Sequence, residues 1–179
     1  TQSRMHMDMT YSFWAGVPWF LKTTRFEAVQ DFSINYMRDD EWVFSGYSFT
    51  DSVWMDRQGR LHEGAVTAGH EADLWGVGFF NRTSRDAFIA LWLEHVADGF
   101  AGLHHVGSPT LNYQMHGQLW SRWCASGEPR FAAGDVLRQR NAYLACRYDG
   151  SGPVEAVRRQ LLSPVTVTAG AAPGAAKAG

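Results

Sequence analysis

One stretch of the chain, residues 94–123, concentrates side chains that can move protons or bind a metal. Its sequence is E-H-V-A-D-G-F-A-G-L-H-H-V-G-S-P-T-L-N-Y-Q-M-H-G-Q-L-W-S-R-W, and it contains four of the seven histidines, His95, His104, His105 and His116. Imidazole is the side chain whose ordinary pKa lies nearest neutrality, so clustered histidines can exchange protons with a substrate. This stretch is therefore the predicted functional centre.

The second half of the stretch, residues 110–123, is predicted to be one strand with a polar face. Because successive side chains of a strand point to opposite faces, alternate residues lie together. The predicted polar face holds Asn112, Gln114, His116, Gln118, Trp120 and Arg122. Amide, imidazole and guanidinium groups beside a flat Trp ring are typical of a site that binds a sugar or another polyhydroxylated ligand.

The reaction predicted at this centre is proton abstraction and return, as in a lyase or an epimerase, without a cofactor. His104 or His105, in a Gly-rich loop, would be the general base, and Tyr113 or His116 would be the acid. Asn112 and Arg122 would orient a carboxylate or hydroxyl of the substrate. Strict alternation puts Tyr113 on the other face from His116, so Tyr113 fits this scheme least well.

A divalent metal held by histidine is the alternative to the metal-free site. His104, His116 and Glu94 are of the ligand types that bind zinc, iron or manganese. Metal sites of barrel-shaped oxygenases usually show a compact H-x-H with a glutamate a few residues on. Here His104 and His105 are adjacent and the next downstream acid is Glu128, so the metal-free reading is preferred.

Composition excludes several classes of partner. Sixteen Lys and Arg against eighteen Asp and Glu give a net charge of -2, and the basic residues are scattered singly. Neither nucleic acid nor an acidic membrane surface is therefore an expected partner. No apolar run reaches membrane-spanning length, which predicts a soluble protein of the cytoplasm or periplasm. Cys124 and Cys146 lie outside any C-x-x-C pair, and a disulfide or two buried thiols both remain open.

The clearest structural prediction is a central hairpin over residues 75–96, with residues 82–86 as its turn. Both arms are nearly continuously apolar, so both faces of this part of the sheet should be covered. Farther along, Val154, Val157, Leu161 and Leu162 recur at helical spacing between Pro153 and Pro164, which predicts a short helix.

Other strands surround this hairpin. A strand is predicted from Asp8 after an irregular arm, and residues 19–34 should resume β structure beyond the break at 16–18. Alternate residues of that second segment are predicted to share one face. They are Phe20, Lys22, Thr24, Phe26 and Ala28. Residues 37–41 are predicted to be a charged turn, residues 61–73 a polar loop, and residues 134–148 one long strand or a strand pair.

The predicted fold class is mainly β, an antiparallel β-sandwich with one short C-terminal helix. Residues 1–168 form the predicted domain, and the Ala- and Gly-rich residues 169–179 a flexible tail. The segments Y-S-F-W-A-G-V-P-W-F, V-L-R-Q-R-N-A-Y-L and E-A-V-R-R-Q-L-L-S-P-V-T-V resemble the β-sandwiches of the galactose-mutarotase-like and polysaccharide-lyase group. The resemblance implies a supersandwich-like fold and carries over no catalytic residue.

Because domains of that group are usually longer, the chain is expected to form part of a larger domain or complex, as a homo- or hetero-oligomer. Two functions compete with the enzyme that acts on a carbohydrate. One is a non-catalytic binding or assembly subunit that uses an aromatic surface. The other is a subunit of a metal-dependent oxygenase or hydrolase.

Overall fold

A computed structural model describes residues 3–34, 37–45, 47–56, 58, 60–65, 70–71, 74–98, 110–113, 116–124 and 130–162. The described chain is mainly β, as predicted, and contains one short helix. Its elements in chain order are β1 (Met5–Phe13), β2 (Trp19–Ala28), β3 (Phe32–Ser33), β4 (Met37–Ser45), β5 (Asp51–Asp56), β6 (Leu61–Ala65), β7 (His70–Glu71), β8 (Leu74–Phe80), β9 (Asp86–Asp98), β10 (Thr110–Tyr113), β11 (His116–Cys124), β12 (Arg130–Phe131), β13 (Val136–Arg147) and α1 (Ser151–Leu162).

The strands form a large sheet, a small sheet and one separate strand pair. The large sheet has seven antiparallel strands in the order β1-β2-β13-β9-β8-β5-β6. The small sheet has four strands in the order β4-β11-β10-β7, and β12 pairs with β3. The predicted hairpin, β8 and β9, therefore occupies the middle of the large sheet.

Both faces of that hairpin are covered, which explains its continuous apolar sequence. On one face α1 contributes Val154, Val157 and Leu161 to a core that includes Ile89 and Leu91. On the other face Trp42 and Leu119 of the small sheet pack against a core that includes Val77 and Tyr143. The chain thus forms three layers, helix, large sheet and small sheet, as the apolar hairpin predicted.

Gly78 is the point of closest backbone approach in the hairpin. A Cβ atom at this position would lie 2.3 Å from the Phe88 carbonyl oxygen and 2.7 Å from Ile89 Cα. Neither atom belongs to a flexible side chain that could move aside. Glycine is therefore required where β8 pairs with β9.

The face of β2 predicted to be shared by alternate residues points into the core. Lys22, Thr24, Phe26 and Ala28 are all buried, and Phe20 is partly buried against the core between the sheets. Phe26 and Ala28 belong to a third apolar cluster with Phe131 and Leu137. A charged residue, Lys22, therefore lies in a row that is otherwise apolar or hydroxylated.

Three local predictions are wrong. Residues 37–41 lie in strand β4 and not in a turn, because β11 offers strand partners to Met37, Arg38 and Asp39 on one side and to Trp42 on the other. Part of the predicted loop 61–73 forms β6, which pairs with β5. The first strand begins at Met5, within the segment predicted to be an irregular arm.

The predicted single strand over residues 110–123 is a hairpin. β10 pairs with β11, so that Asn112 lies opposite Gln118 and Tyr113 lies opposite Gly117. No Asn-Gly or Gly-Gly pair marks this turn, and glycine at 117 indicated only a small irregularity. The tail 169–179, which is predicted to be flexible, lies outside the described residues.

Candidate functional site

The residues predicted to do chemistry fall mostly where side chains are not described. His104, His105 and Gln114 lie outside the described residues. For the rest of the predicted set the structure describes the backbone alone. These residues are Asn112, Tyr113, His116, Gln118, Trp120 and Arg122. Their assignment as catalytic or substrate-binding residues remains a prediction.

The backbone register still places these positions in the fold. His116 lies opposite Ser45, and Gln118 lies opposite Val43. Ser45 and Val43 are residues of β4 with exposed side chains. Leu119 lies opposite Trp42 and is fully buried. The hairpin β10–β11 therefore lies beside β4, the strand that carries Asp40.

A buried polar cluster joins β4 of the small sheet to the large sheet. The Lys22 ammonium forms an ion pair with Asp40 Oδ1, and the Asp40 side chain is 0% exposed. Asn141 Nδ2 donates to Asp40 Oδ2 over 2.6 Å, and the Tyr143 hydroxyl donates to the same oxygen. Three donors thus converge on one carboxylate, which is how a buried charge is kept stable.

The backbone of Asp40 is unusual for a strand. Its φ is 52°, in the left-handed region, which few residues other than glycine adopt, although aspartate does so more readily than most. The pairing of β4 with β11 shifts at this point, between Leu119 and Ser121. The irregularity is a β-bulge in β4, and bulges often redirect a side chain beside a functional site.

Two polar atoms near this cluster have no hydrogen-bond partner among the described residues. They are Trp42 Nε1 and Asn141 Oδ1, and both are shielded from solvent. An unpaired buried polar atom costs about 1–3 kcal/mol of stability. These unpaired atoms and the left-handed backbone of Asp40 both reduce stability. Such local destabilisation is common at functional sites.

A pocket of about 310 Å³ opens above the cluster, between β1 and β4. It is lined by Tyr11, Lys22, Asp40, Glu41 and Trp42. The Lys22 ammonium lies 5.9 Å from the centre of the Tyr11 ring, which faces it across the pair of strands. Trp42 also contacts Phe20 and Tyr143. The pocket therefore has aromatic walls and a charged floor.

Sequence reasoning selected none of the lining residues. Alternation placed Lys22 on the inward face of β2, and a lysine in a buried row signals that a carboxylate must face it. Asp40 carried no such signal, because it lies in the run R-D-D-E, whose charges predicted an exposed turn. Tyr143 and Asn141 look like ordinary residues of a long strand.

A second polar cluster lies at the opposite edge of the large sheet, on β5 and β6. His62 Nε2 lies 3.0 Å from Asp56 Oδ2, and Arg60 Nε donates to the same oxygen over 2.8 Å. The His62 ring stacks on Trp54 with centroids 5.5 Å apart. The hydrogen bond from His62, above all, holds the pKa of Asp56 far below its ordinary value. His62 belongs to the segment predicted to be a polar loop, whereas it lies in β6, half-buried and paired.

A third group lies between β6 and the segment after β13. Burial, and then the hydrogen bond to Glu63, raise the pKa of the Tyr148 hydroxyl. Arg85 Nε donates to the Tyr148 carbonyl over 2.7 Å, and its guanidinium lies over the Tyr148 ring. The group connects the turn of the central hairpin to the chain beyond β13, so its role is to stabilise the fold.

Of the predicted metal ligands His104, His116 and Glu94, only Glu94 has a described side chain. Glu94 lies on β9, where Arg140 Nε is 3.8 Å from its carboxylate. Among the described residues no three His, Cys, Asp or Glu side chains could hold one metal ion. Cys146 is a free thiol, which removes the alternative of a disulfide with Cys124.

No known protein family matches this chain, and no curated protein is similar to it. The one described helix, with twelve residues, is too short to cross a membrane.

Proposed function

We propose that the protein binds a saccharide, or a similar polyhydroxylated ligand, in the pocket between β1 and β4. The observation that carries this proposal is the pocket itself, in which Tyr11 and Trp42 flank the buried Lys22–Asp40 pair. Aromatic rings stack on the apolar faces of sugars, and fixed polar groups orient the hydroxyls. The volume of about 310 Å³ lies at the small end of ligand sites, which span about 300–1,000 Å³.

The polar groups of the lining favour hydroxyls over anions. The lining holds one ammonium, Lys22, and two carboxylates, Asp40 and Glu41. The exposed Glu41 carboxylate can accept hydrogen bonds from sugar hydroxyls, whereas Asp40 is buried and already paired with Lys22, Asn141 and Tyr143. A surface built for uronates would instead present an excess of cationic donors. A neutral saccharide is therefore the ligand class proposed.

Binding is supported better than catalysis at this pocket. His116 lies opposite Ser45, four residues along β4 from Glu41. At about 3.3 Å per residue this separation is about 13 Å, whereas direct proton transfer needs a distance near 3 Å. A single sugar ring in the pocket is too small to span the distance between Glu41 and His116. Lyase or epimerase chemistry at His104, His105, His116 and Tyr113 is therefore a separate proposal.

The proposal is tested by screening the full chain on an array of neutral and uronate oligosaccharides and measuring the hits by calorimetry. Replacing Tyr11 by Ala should weaken binding about 2- to 13-fold, the equivalent of 0.5–1.5 kcal/mol for a lost aromatic contact. Glu41→Gln should also weaken it, because a carboxylate acceptor is lost.

Tyr47→Ala is the matched control, since this tyrosine is 96% exposed and does not line the pocket. Tyr11→Ala and Tyr47→Ala variants with equal affinity would refute the site. Absence of binding to every neutral saccharide would refute the proposed function.

A further inference from the structure

A larger pocket lies beside the strand pair β3–β12, away from the saccharide pocket. Its volume is about 590 Å³, within the range of about 300–1,000 Å³ for small-molecule sites. The Asp135 carbonyl, at this pocket, accepts a hydrogen bond from the Ala28 amide, and Ala28 lies six residues along β2 from Lys22. At about 3.3 Å per residue this separation is about 20 Å, so the two pockets are distinct. The lining residues that carry its chemistry are Asp31, Phe32, Ser33, Arg130, Phe131 and Asp135.

A tight turn between β12 and β13 fixes two carboxylates at this pocket. The Asp135 amide donates to the Ala132 carbonyl over 3.0 Å, and Gly134 takes a φ of 98°, which favours glycine in such a turn. Asp135 Oδ2 accepts from the Ala132 amide over 2.8 Å. Asp31 Oδ1 accepts from the Ala133 amide over 2.9 Å. Each carboxylate therefore uses one oxygen to hold the turn.

The second oxygen of each carboxylate has no hydrogen-bond donor among the residues that the structure describes. This matters most for Asp135, which is only 7% exposed and lines the pocket. A carboxylate removed from water needs donors or a positive charge for both of its oxygens. One backbone amide supplies only part of that need, so Asp135 presents an incompletely compensated negative charge to the pocket.

A guanidinium and an aromatic wall complete the lining. Arg130 lies directly opposite Ser33 in the pair β12–β3, so the two exposed side chains share a face. In the described part of the chain no carboxylate pairs with Arg130. The next residues in register are Phe131 and Phe32, whose rings stack with centroids 4.7 Å apart and planes 5° apart. Phe131 is buried, whereas Phe32 is partly exposed to the pocket.

We infer that this pocket binds a free α-amino acid with an apolar side chain. The ligand's ammonium group has three N–H donors, which match the unpaired oxygens of Asp31 and Asp135. Its carboxylate accepts two parallel hydrogen bonds from the Arg130 guanidinium. Its side chain packs on the Phe32 ring. Binding at this site does not depend on the proposed saccharide pocket.

The opposite charges of the lining select a zwitterion over simpler ligands. A divalent metal ion takes oxygen ligands, and the Arg130 guanidinium in the same pocket would repel it. A simple anion would be repelled by the carboxylates of Asp31 and Asp135. A neutral saccharide would leave both kinds of charge without a counterion. Only a ligand with an ammonium and a carboxylate compensates both.

Calorimetry of the full wild-type chain with three matched ligands tests this assignment. L-Phenylalanine carries both charged groups, phenylethylamine lacks the carboxylate, and phenylpropionate lacks the ammonium. Phenylalanine should bind at least about tenfold more tightly than either analogue, because each analogue loses a hydrogen bond between charged groups. Absence of phenylalanine binding would overturn the assignment, and so would an analogue that binds as tightly as phenylalanine.

Two substitutions separate the two ends of the ligand. Asp135→Asn keeps an oxygen for the Ala132 amide and removes the charge, so it should weaken binding of phenylalanine and of phenylethylamine by about tenfold or more. Arg130→Gln should weaken binding of phenylalanine by a similar factor and leave that of phenylethylamine unchanged. Arg147→Gln is the matched control, since Arg147 is exposed at the far end of β13. Equal affinities for phenylalanine in Arg130→Gln and Arg147→Gln would overturn the assignment.

Thermal unfolding shows whether each variant folds. The comparison of the three ligands uses wild-type protein, so it decides the question even where Asp135→Asn does not fold. Tyr11→Ala should leave the affinity for phenylalanine unchanged, because Tyr11 lines the saccharide pocket. A loss of phenylalanine binding in Tyr11→Ala would place the amino acid in that other pocket and overturn the assignment.

Discussion

The ammonium of Lys22 lies against the carboxylate of Asp40 in the interface between the two sheets, with both side chains almost fully removed from solvent. The pair connects β2 of the large sheet to β4, the edge strand of the small sheet. It is both the polar anchor of the sandwich and the floor of the proposed ligand pocket. Its contribution to stability can be measured separately from ligand binding.

Replacing Asp40 by Asn should destabilise the protein by about 3–5 kcal/mol, because the Lys22 charge would remain buried without its counterion. Asparagine tolerates the left-handed backbone of this position, so the effect reports the lost charge rather than strain. The free energy of unfolding is measured with urea. Glu27→Gln is the control, since Glu27 pairs with Arg25 at the surface and should cost less than about 1 kcal/mol. Equal losses of unfolding free energy in Asp40→Asn and Glu27→Gln would show that the Lys22–Asp40 pair is not buried.

Replacing Gly78 by Ala should destabilise the protein by about 1–3 kcal/mol or more, because the added methyl group would collide with the backbone of β9. Gly64→Ala is the matched control. Its Cβ would meet only the far end of the Trp54 ring, at 3.9 Å, so the same change should be close to neutral. Thermal unfolding of the two variants measures the difference. A neutral Gly78→Ala would contradict the close pairing of β8 with β9.

Asp56 should make stability depend on pH in the acid range. Its folded-state pKa is lowered from 3.8, above all by the hydrogen bond with His62, so the folded protein takes up a proton less readily than the unfolded chain. The resulting stabilisation is fully present above about pH 4 and is lost as the pH falls through the folded-state value. The melting temperatures of wild-type and Asp56→Asn protein should therefore differ at pH 5 and converge at lower pH. A difference that stays constant down to about pH 2 would contradict this assignment.

If His116 transfers a proton, replacing it by Gln should reduce turnover of a bound oligosaccharide by roughly a hundredfold or more while leaving the melting temperature nearly unchanged. The rate of the wild-type protein should then vary with pH near 6 to 7, about the imidazole range. His62→Gln would not be a neutral control, because His62 forms a hydrogen bond with Asp56. Tyr47→Ala serves instead, at an exposed position. Unchanged turnover in His116→Gln would remove the catalytic proposal and leave saccharide binding in place.

Much of the fold follows from local patterns. Two continuous apolar runs predicted the central hairpin, and its covered faces predicted a layered structure, because only a sheet between two layers removes both faces of a strand from water. Helical spacing of Val154, Val157 and Leu161 predicted α1, whose apolar side lies on the large sheet. Alternation in β2 predicted which residues share a face, including Lys22, and the structure shows that this face is buried.

The pairing of distant segments could not be predicted in the same way. The charges of residues 37–41 favour a turn when considered alone, and only the ladder with β11 makes them a strand. The hairpin of β10 and β11 lacks the turn residues that usually mark one. In both cases backbone hydrogen bonds to a neighbouring strand outweigh a local preference, since strand propensity depends on context.

By itself the sequence determined the fold class, the central hairpin, the helix and which residues of β2 share a face, because each depends on periodicity within a few residues. It also led to a prediction of carbohydrate-binding chemistry at residues 94–123, which stays a prediction. Only the tertiary structure brought together Lys22, Asp40 and Tyr143, of which the last two are 103 residues apart. No local pattern encodes such a meeting, because it requires two sheets to stack and a bulge to turn Asp40 inward. The same stacking leaves Met7, Met9, Tyr11 and Phe13 of β1 exposed to solvent, which the sequence of that strand alone could not show.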